Sequence, residues 1–457
     1  MSGPGVGHDG AVSTSRDPHP RRSVEEHAAA VAALLAECGL DPAGPTRLGT
    51  EELPLTDAAL MRDPARWLGR ILATDAGDIR ATAPLPRFDN SQMDGYAVRA
   101  ADLATATPDG PVSLRVVAAI VAGEAGAGIG PGEAAPIMTG APIPPGADVV
   151  VPIEQADPPR FGAGDSVAFR TPTEPGTFVR PAGSDVAVGD TLLRAGDALT
   201  APALGILAFS GATHVALLRR PRVLLTVTGH EVRPPGTQLA PGQIHDANSY
   251  SLWLALTEAG AEVVVAPCAS DEPDELRGIL DQHARTVDLV LTVGGVSAGA
   301  REVVRDVLEP AGVWFGSVAM QPGGPQGLGT IPTGAADSGT AARTPVLCFP
   351  GNPVSCLVSF EVFLRPILRA LATGSRTPVA RPRETLALAE AWDSPPGKHQ
   401  VRRGRVDAEG RVHAVGGASS HLLHAYARSS VLVHVPADAV HLDAGTPVET
   451  WRIDGRD

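Results

Sequence analysis

The sequence predicts a multidomain α/β plus β protein, built on a central doubly wound, mainly parallel α/β domain. A β-rich inserted domain precedes it and a β domain follows it. Three observations carry this. Between residues 221 and 375, buried-type apolar runs alternate with stretches of helical length. Between 85 and 185, short β-branched runs alternate with turn clusters such as "PPGAD" and "PAGSD". After 376, short strand patterns and turns return.

The elements follow in order. Residues 1–22 read as a disordered tail. Residues 23–84 form a helical and linker segment. It opens with a helix to about Cys38, capped by Ser23 with Glu26 three residues on, and has a second short helix over about Pro64 to Asp75. The inserted domain spans 85–185, with no helix of any length expected to residue 200, and 186–220 returns the chain to the linker. In the central domain "RVLLTVT", "AEVVVAPC", "VDLVLTV", "VWFGSVAM" and "TPVLCFP" read as strands. "SYSLWLALTEAG", "EPDELRGILDQHAR", "REVVRDVLE" and "PVSCLVSFEVFLRPILRALA" read as helices. Residues 376–457 form the last β domain.

Composition narrows the function. Of 457 residues, 43% are hydrophobic and 19% charged, as in globular proteins, and the net charge of −14 disfavours a general nucleic-acid binder. No run of eighteen apolar residues occurs, so no membrane span is expected. The four cysteines form no CxxC pair, which argues against structural zinc or a disulfide framework and for the reducing cytoplasm. Cys348 and Cys356 sit in apolar segments and read as core.

In open α/β sheets, ligands bind beyond the carboxyl ends of the strands. Four small polar turns follow strands here: "GHEVRPPG", "GGVSAGARE", "QPGGPQG" and "PGNPVS". Together on one rim they would make a binding site. "GGVSAG" and "PGNPVS" run into helices, so their amides, with Ser297 and Ser355, are candidates for phosphate. No GxGxxG or Walker A pattern follows a strand. The loop within "SVAMQPGGPQGLG" is unusual for an anion site, because it holds no cation.

Elsewhere "PLPRFDNSQMDGYAV" carries Asp89, Asn90, Ser91 and Asp94, and "APIMTGAPIPPGADVVVPIE" carries Thr139 and Gly140. Two readings stand for the first stretch: an Asx-capped turn, or a polar loop whose carboxylate holds a metal or substrate. His230 and His245 read as incidental rim residues. Arg402, Arg403 and Arg405 read as a solvated strand face. Ser355 has no His–acid pair beside it and reads as an anion-binding hydroxyl.

"FDNSQMDGYAVRAAD", "PIMTGAPIPPGADVVVPIE", "TVTGHEV", "GQIHDANSYSL", "LTVGGVSAG", "VAMQPGGPQG" and "FPGNPVS" occur in this order. Together they resemble the molybdopterin molybdenumtransferase family (MoeA and the E domain of gephyrin), from about residue 23 to the end. The resemblance implies an elongated four-part subunit forming a homodimer, with an adenylyltransferase-like central domain and a barrel-like last domain. In such a dimer the α/β rim of one subunit pairs with the "DNSQMDGYAV" and "MTGAP" loops of the other. The implied partners are adenylyl-molybdopterin and molybdate, with no nucleic acid or membrane. The implied reaction is Mg²⁺-dependent insertion of molybdate into adenylyl-molybdopterin, with release of AMP. It assigns catalysis to Asp94, Thr139, Asp246 and Glu302, with Asp94, Asp246 and Glu302 as Mg²⁺ ligands. It assigns substrate contacts to Ser91, Gly140, Thr228, Gly229 and Asn248. Further contacts fall on Gly294, Gly295, Ser297, Gly299, Pro322, Gly323, Pro350, Gly351, Asn352 and Ser355.

The chain departs from the family pattern in its charges. Gln321 and Gly324 stand where the family carries lysines. At about 1.5–3 kcal/mol per charge-assisted bond, the loss is several kcal/mol unless compensated. Arg301 and Arg180 are candidate substitutes. His230 replaces an Asp, Ala300 an acidic residue, Glu302 an Asp and Ser184 a Glu. A working transferase is one reading. The other is a weakened paralogue that binds molybdopterin or its adenylylated form as carrier or assembly partner. A stand-alone adenylyltransferase is a third, opposed by the flanking domains.

Overall fold

The structure, a computed structural model, describes residues 20–44, 48–56, 62–120, 123, 126–161, 165–268, 270, 272–297, 302–333 and 343–455. The chain forms two compact units. One comprises the described residues within Met1–Glu52, Ala65–Ala73 and Ala216–Asp457, and the other those within Leu53–Pro64 and Thr74–Val215. No described helix is long and apolar enough to cross a membrane.

Residues 1–19 of the expected tail lie outside the described residues. Arg22, also assigned to the tail, is fixed: its amide donates to Ser317 O (3.0 Å) and its guanidinium lies 3.7 Å over the Trp314 ring. Helix α1 (Val24–Glu37) begins with the expected capping box, in which Glu26 N donates to Ser23 Oγ and Ser23 N to Glu26 Oε2. Its buried face, Val24, His27, Val31 and Leu35, recurs at helical spacing. The helix expected over Pro64–Asp75 is a correction: only Pro64–Arg66 forms a 3₁₀ turn. Leu72 bridges to Leu217 instead, and Ala73 N donates to Ala216 O, so extended pairing takes the backbone groups a helix would use.

The second unit is built on a six-stranded sheet. Its strands are β1 (Gly95–Val98), β2 (Val112–Val116), β3 (Glu133–Ile137), β4 (Val149–Pro152), β5 (Ala156–Asp157) and β6 (Ser166–Phe169), in the order β4-β1-β3-β2-β6-β5. Tyr96, Val98 and Val151 face one apolar cluster, Ala97 and Val150 another. β1 and β4 are therefore buried throughout, unlike half-exposed strands. Helix α2 (Ala201–Ser210) was not read from the sequence, although Thr200 caps it and Gly211 ends it. Its run of Ala, Gly and Leu shows no one-sided apolar stripe.

In the first unit, β7 (Arg222–Val227), α3 (Asn248–Glu258), β8 (Glu262–Val265), α4 (Pro273–His283), β9 (Leu289–Val293) and α5 (Val303–Leu308) alternate as expected. They are followed by β10 (Trp314–Ser317), β11 (Met320–Gln321), β12 (Pro325–Pro332) and β13 (Arg343–Phe349). The sheet is mixed, in the order β8-β7-β9-β13-β12-β10: four parallel strands, to which β12 and β10 add antiparallel. Val223, Leu225 and Val227 pack with Leu252, Leu256 and Val354, whereas Leu224, Val290 and Val346 pack with Leu276, Leu280 and Val304. Alternate residues of each strand thus bury opposite faces. β12 corrects the sequence reading, which left "PQGLG" in a loop. A Cβ on Gly327 would lie 2.7 Å from the Phe315 ring, so a glycine-rich strand is what fits there. The long helix after β13 is continuous, as α6 (Pro353–Ser359), a π-turn (Phe360–Leu364) and α7 (Arg365–Thr373).

The C-terminal β domain contains β14 (Arg383–Leu388), β15 (His399–Val406), β16 (Arg411–Ala414), β17 (Val431–Val435) and β18 (Pro447–Arg452). They pair β15-β16-β14-β18-β17, and β17 pairs back to β15, closing a five-stranded ring. β15 also pairs with β11, matching Met320 to His399 and Gln321 to Gln400. His434 lies against Trp451, with ring centroids 4.0 Å apart, and its Nδ1 meets His399 Nε2 at 2.9 Å.

Burial holds two histidines neutral, with pKa values lowered to about 3: His27, between Trp314 and Phe363, and His434. In the unfolded chain both take up protons near pH 6.5, so stability is complete above that pH and falls as pH drops from there toward 3. Each contributes up to about 1.4 kcal/mol per pH unit in that window. In urea unfolding from pH 7 to 4, His27→Phe and His434→Phe should each flatten the loss of stability.

Candidate active site

β7, β9 and β13 end side by side, and their turns touch through the backbone. Thr228 N donates to Val293 O (2.9 Å), and Gly294 N to Phe349 O (3.0 Å). A Cβ on Gly294 (φ +94°) would lie 2.9 Å from Thr228 O, and one on Gly351 would lie 3.2 Å from Gly294 Cα. Asn248, opening α3, donates from Nδ2 to Gly351 O (2.7 Å). Asp246 Oδ1 accepts from Ser249 N (2.9 Å) and so caps α3.

All four turns line one cleft of about 1190 Å³. Thr228, Gly229, Asp246, Asn248, Gly294, Gly295, Ser297 and Glu302 are on its wall, with Pro322, Gly323, Pro350, Gly351, Asn352 and Ser355. Gly299, Ala300 and Arg301 lie outside the described residues. Not every amide of the helix-opening turn is open to a ligand, because Val354 N donates to Ser420 O (3.0 Å). His230 and His245 line the same cleft; His245 Nε2 meets Thr237 O at 3.0 Å.

The loop after β11 is held by neutral groups. Gln400 Nε2 donates to Gln321 Oε1 (2.7 Å), while buried Gln326 donates from Nε2 to Gly323 O and Ser359 Oγ (both 2.7 Å). Glu231, Asp246, Glu272 and Glu302 place carboxylates on the described wall, against the cations Arg21 and Lys398. Sequence reasoning missed both cations. A signal existed for one of them: of the chain's 37 lysines and arginines, Lys398 is the single lysine.

The other four candidates meet in the second unit. Asp94 Oδ1 accepts from Thr139 N (2.7 Å) and Thr139 Oγ1 (2.8 Å), which holds the Asp94 carboxyl below its usual pKa. Gly140 N donates to Ser91 O (2.9 Å), and Ser91 Oγ to Met93 O (2.5 Å). The Asp94–Thr139 pair is exposed and spans forty-five positions, whereas Ser91 is buried, so Asp94 is an ionised carboxylate held across the fold and not the cap of a local turn. Arg180, offered as a substitute cation, donates to Asn90 Oδ1 (3.4 Å) in this unit.

Two side-chain expectations can be compared with the structure. Burial pushes the Cys348 and Cys356 thiols up to about 12, as core packing requires. The arginine run is not one solvated face. Arg405 is exposed and Arg402 stacks on Trp392, but Arg403 is buried and donates to Gly417 O and Ser419 O, fixing a loop whose Ser419 and Ser420 line the cleft.

A polar, glycine-walled cleft beyond the carboxyl ends of parallel strands marks an α/β protein that binds a small molecule. Comparison with known proteins identifies the family. Residues 22–211 match the MoeA N-terminal region (domain I and II), 227–370 a probable molybdopterin binding domain, and 385–453 the MoeA C-terminal region (domain IV). Molybdopterin molybdenumtransferase 2 of Mycobacterium tuberculosis is 43% identical over 439 residues, 94% of this chain and 99% of that one. The molybdopterin molybdenumtransferase of Synechococcus elongatus is 35% identical over 431 residues, 93% of this chain and 98% of its own. The crystal structure of the molybdopterin biosynthesis MoeA protein from Pyrococcus horikosii superposes with a TM-score of 0.70 at 28% identity, covering 95% of this chain and 100% of that one. The chain belongs to the molybdopterin molybdenumtransferase family.

The backbone contact among the turns is testable. Gly294→Ala should destabilise the protein by about 1–3 kcal/mol, since it adds both a clash and a disfavoured φ. Thermal unfolding read beside Gly410→Ala, which has a similar φ (+77°) but nothing within 4 Å of the added Cβ, separates the clash from the φ.

Proposed function

We propose that this chain is a molybdopterin molybdenumtransferase of molybdenum cofactor biosynthesis, which inserts molybdate into adenylyl-molybdopterin and releases AMP. The observation that carries this reading is the single cleft in which the strand-end turns meet, on a chain whose relatives are named for this activity along nearly their whole length. Those names favour the transferase over the carrier reading. In this account the central domain is the adenylyltransferase-like part that holds the pterin nucleotide.

The chemistry follows from the wall. The substrate's phosphates lie against Gly294–Ser297 and Gly351–Ser355, where backbone and the Ser297 and Ser355 hydroxyls donate hydrogen bonds. Asn248 fixes the position of the Gly351 turn through its bond to the carbonyl. Asp246 is oriented by its cap on α3, with one oxygen engaged by Ser249 N. Asp94, kept ionised by Thr139, and Thr139 itself remain proposed catalytic residues.

Mg²⁺ is the proposed cofactor, with Asp94, Asp246 and Glu302 as its candidate ligands. Among the described residues no group of three or more acidic, His or Cys side chains could hold a metal by itself. Mg²⁺ commonly binds through one or two carboxylates, with substrate phosphates and water completing its shell, so not all three candidates need bind at once. A polyanion entering beside four carboxylates also needs a counter-charge. Bound there, the ion supplies charge neutralisation at the phosphates and polarises the bond that breaks.

The proposed assembly is a cytoplasmic homodimer. Tyr250, Trp253 and Leu254 expose large apolar side chains on α3, at 57%, 46% and 51%, as a subunit interface would use.

Incubation with adenylyl-molybdopterin, molybdate and Mg²⁺ should release AMP. Pterin binding without AMP would favour the carrier reading. Asp246→Asn should slow AMP release most at limiting Mg²⁺ and recover partly in excess Mg²⁺. Light scattering after size exclusion should give twice the 46.8 kDa chain mass, falling to one chain for Trp253→Glu.

A further inference from the structure

The loop from Gln321 to Pro325 lines the cleft and carries no cation. The segment feeding it, Val318–Gln321, is gripped by two other parts of the chain. On one side Arg22 bridges to Val318, Arg22 N donates to Ser317 O, and Ala319 N donates to Arg22 O (2.8 Å). On the other, β11 pairs with β15, and His399 N donates to Ala319 O (2.8 Å). Each gripping segment puts a cation on the cleft wall next to its anchor: Arg21 before Arg22, and Lys398 before His399.

The geometry points to Lys398, seconded by Arg21, as the binding contact for a tetrahedral oxyanion in this cleft, replacing the charge that the loop lacks. Lys398 sits in the bend immediately before β15, two residues from Gln400, whose side chain reaches Gln321 Oε1 in the loop, while His399 between them turns to buried His434. Among the described residues neither Lys398 nor Arg21 makes a side-chain hydrogen bond or ion pair, although four carboxylates share their wall. Their charge is left for a ligand. The choice of residue also fits. Everywhere else the chain uses arginine, a broad planar fork; here it keeps a compact ammonium with three donors on a flexible stem. Such a point charge can meet one oxygen of a small tetrahedral ion without filling the space beside it.

Two sources share this chemistry: molybdate, and a phosphate group of the pterin nucleotide. The inference takes its reaction from the functional reading above, but its first test needs no turnover. Because Lys398 is the only lysine, an amine-acylating reagent on the full chain reports on one side chain, with the chain's α-amine as internal reference. Site-resolved mass spectrometry follows acylation with and without molybdate, inorganic phosphate or AMP. An anion at ten times its Kd should slow acylation of Lys398 about tenfold and leave the α-amine unaffected. Protection by molybdate alone assigns the contact to molybdate; protection by phosphate or AMP alone assigns it to the nucleotide. No protection by any of the three overturns the proposal. In turnover, Lys398→Ala should raise KM for the protecting substrate about 10- to 100-fold, the loss of one charge-assisted bond, with a smaller change in kcat. Lys398→Arg should recover part of it, and Arg21→Ala should show a lesser rise. An unchanged KM in Lys398→Ala also overturns it. If protection is seen but AMP is never released, the functional reading fails and the anion contact stands.

Discussion

The site depends on contact between main chains. Thr228, Gly294 and Gly351 follow three neighbouring parallel strands, and their turns are close enough that a methyl group on Gly294 would collide with Thr228 and one on Gly351 would crowd Gly294. This lets α3, the Ser297 turn and α6 open onto one cleft. A bulkier turn at any of the three would separate them, and the wall residues would no longer face a common ligand. The parallel sheet supplies the rigidity this requires, since every residue of β9 is buried.

Charge is organised in a different layer. The wall carries four carboxylates and, among its described residues, two cations, so it is no general anion trap. What orders the wall is where each sign sits. Carboxylates follow the strand ends. Cations come from segments outside the α/β alternation, one preceding α1 and one just before β15. The loop is set by glutamines instead: Gln321 with Gln400, and Gln326 with Gly323 and Ser359. Neutral side-chain amides can fix a loop without adding charge to it.

Much of this was legible in the residues. The α/β alternation, the capping box of α1 and the four strand-end turns all depend on local patterns, and the cleft lies where those turns meet. Asp94 and Thr139 could be singled out by type, but the bond joining them spans forty-five positions and has no periodic signal. β12 was hidden because its glycines answer to Phe315 and Cys348, neighbours in space rather than in sequence. α2 was hidden because its apolar residues surround it. Arg403 looked like a surface charge within a basic run, yet β15 turns it inward to hold two backbone carbonyls of the loop beside the cleft. Lys398 showed only as an oddity of composition, and the β11–β15 pairing makes it part of the wall.

That pairing bears on how the protein is made. Residues 318–321 are clasped by a segment from the start of the chain and by a strand from its closing domain. During synthesis the first clasp is already outside the ribosome when this segment emerges, but the second is not. A nascent chain can complete its parallel sheet and still lack one side of its binding pocket.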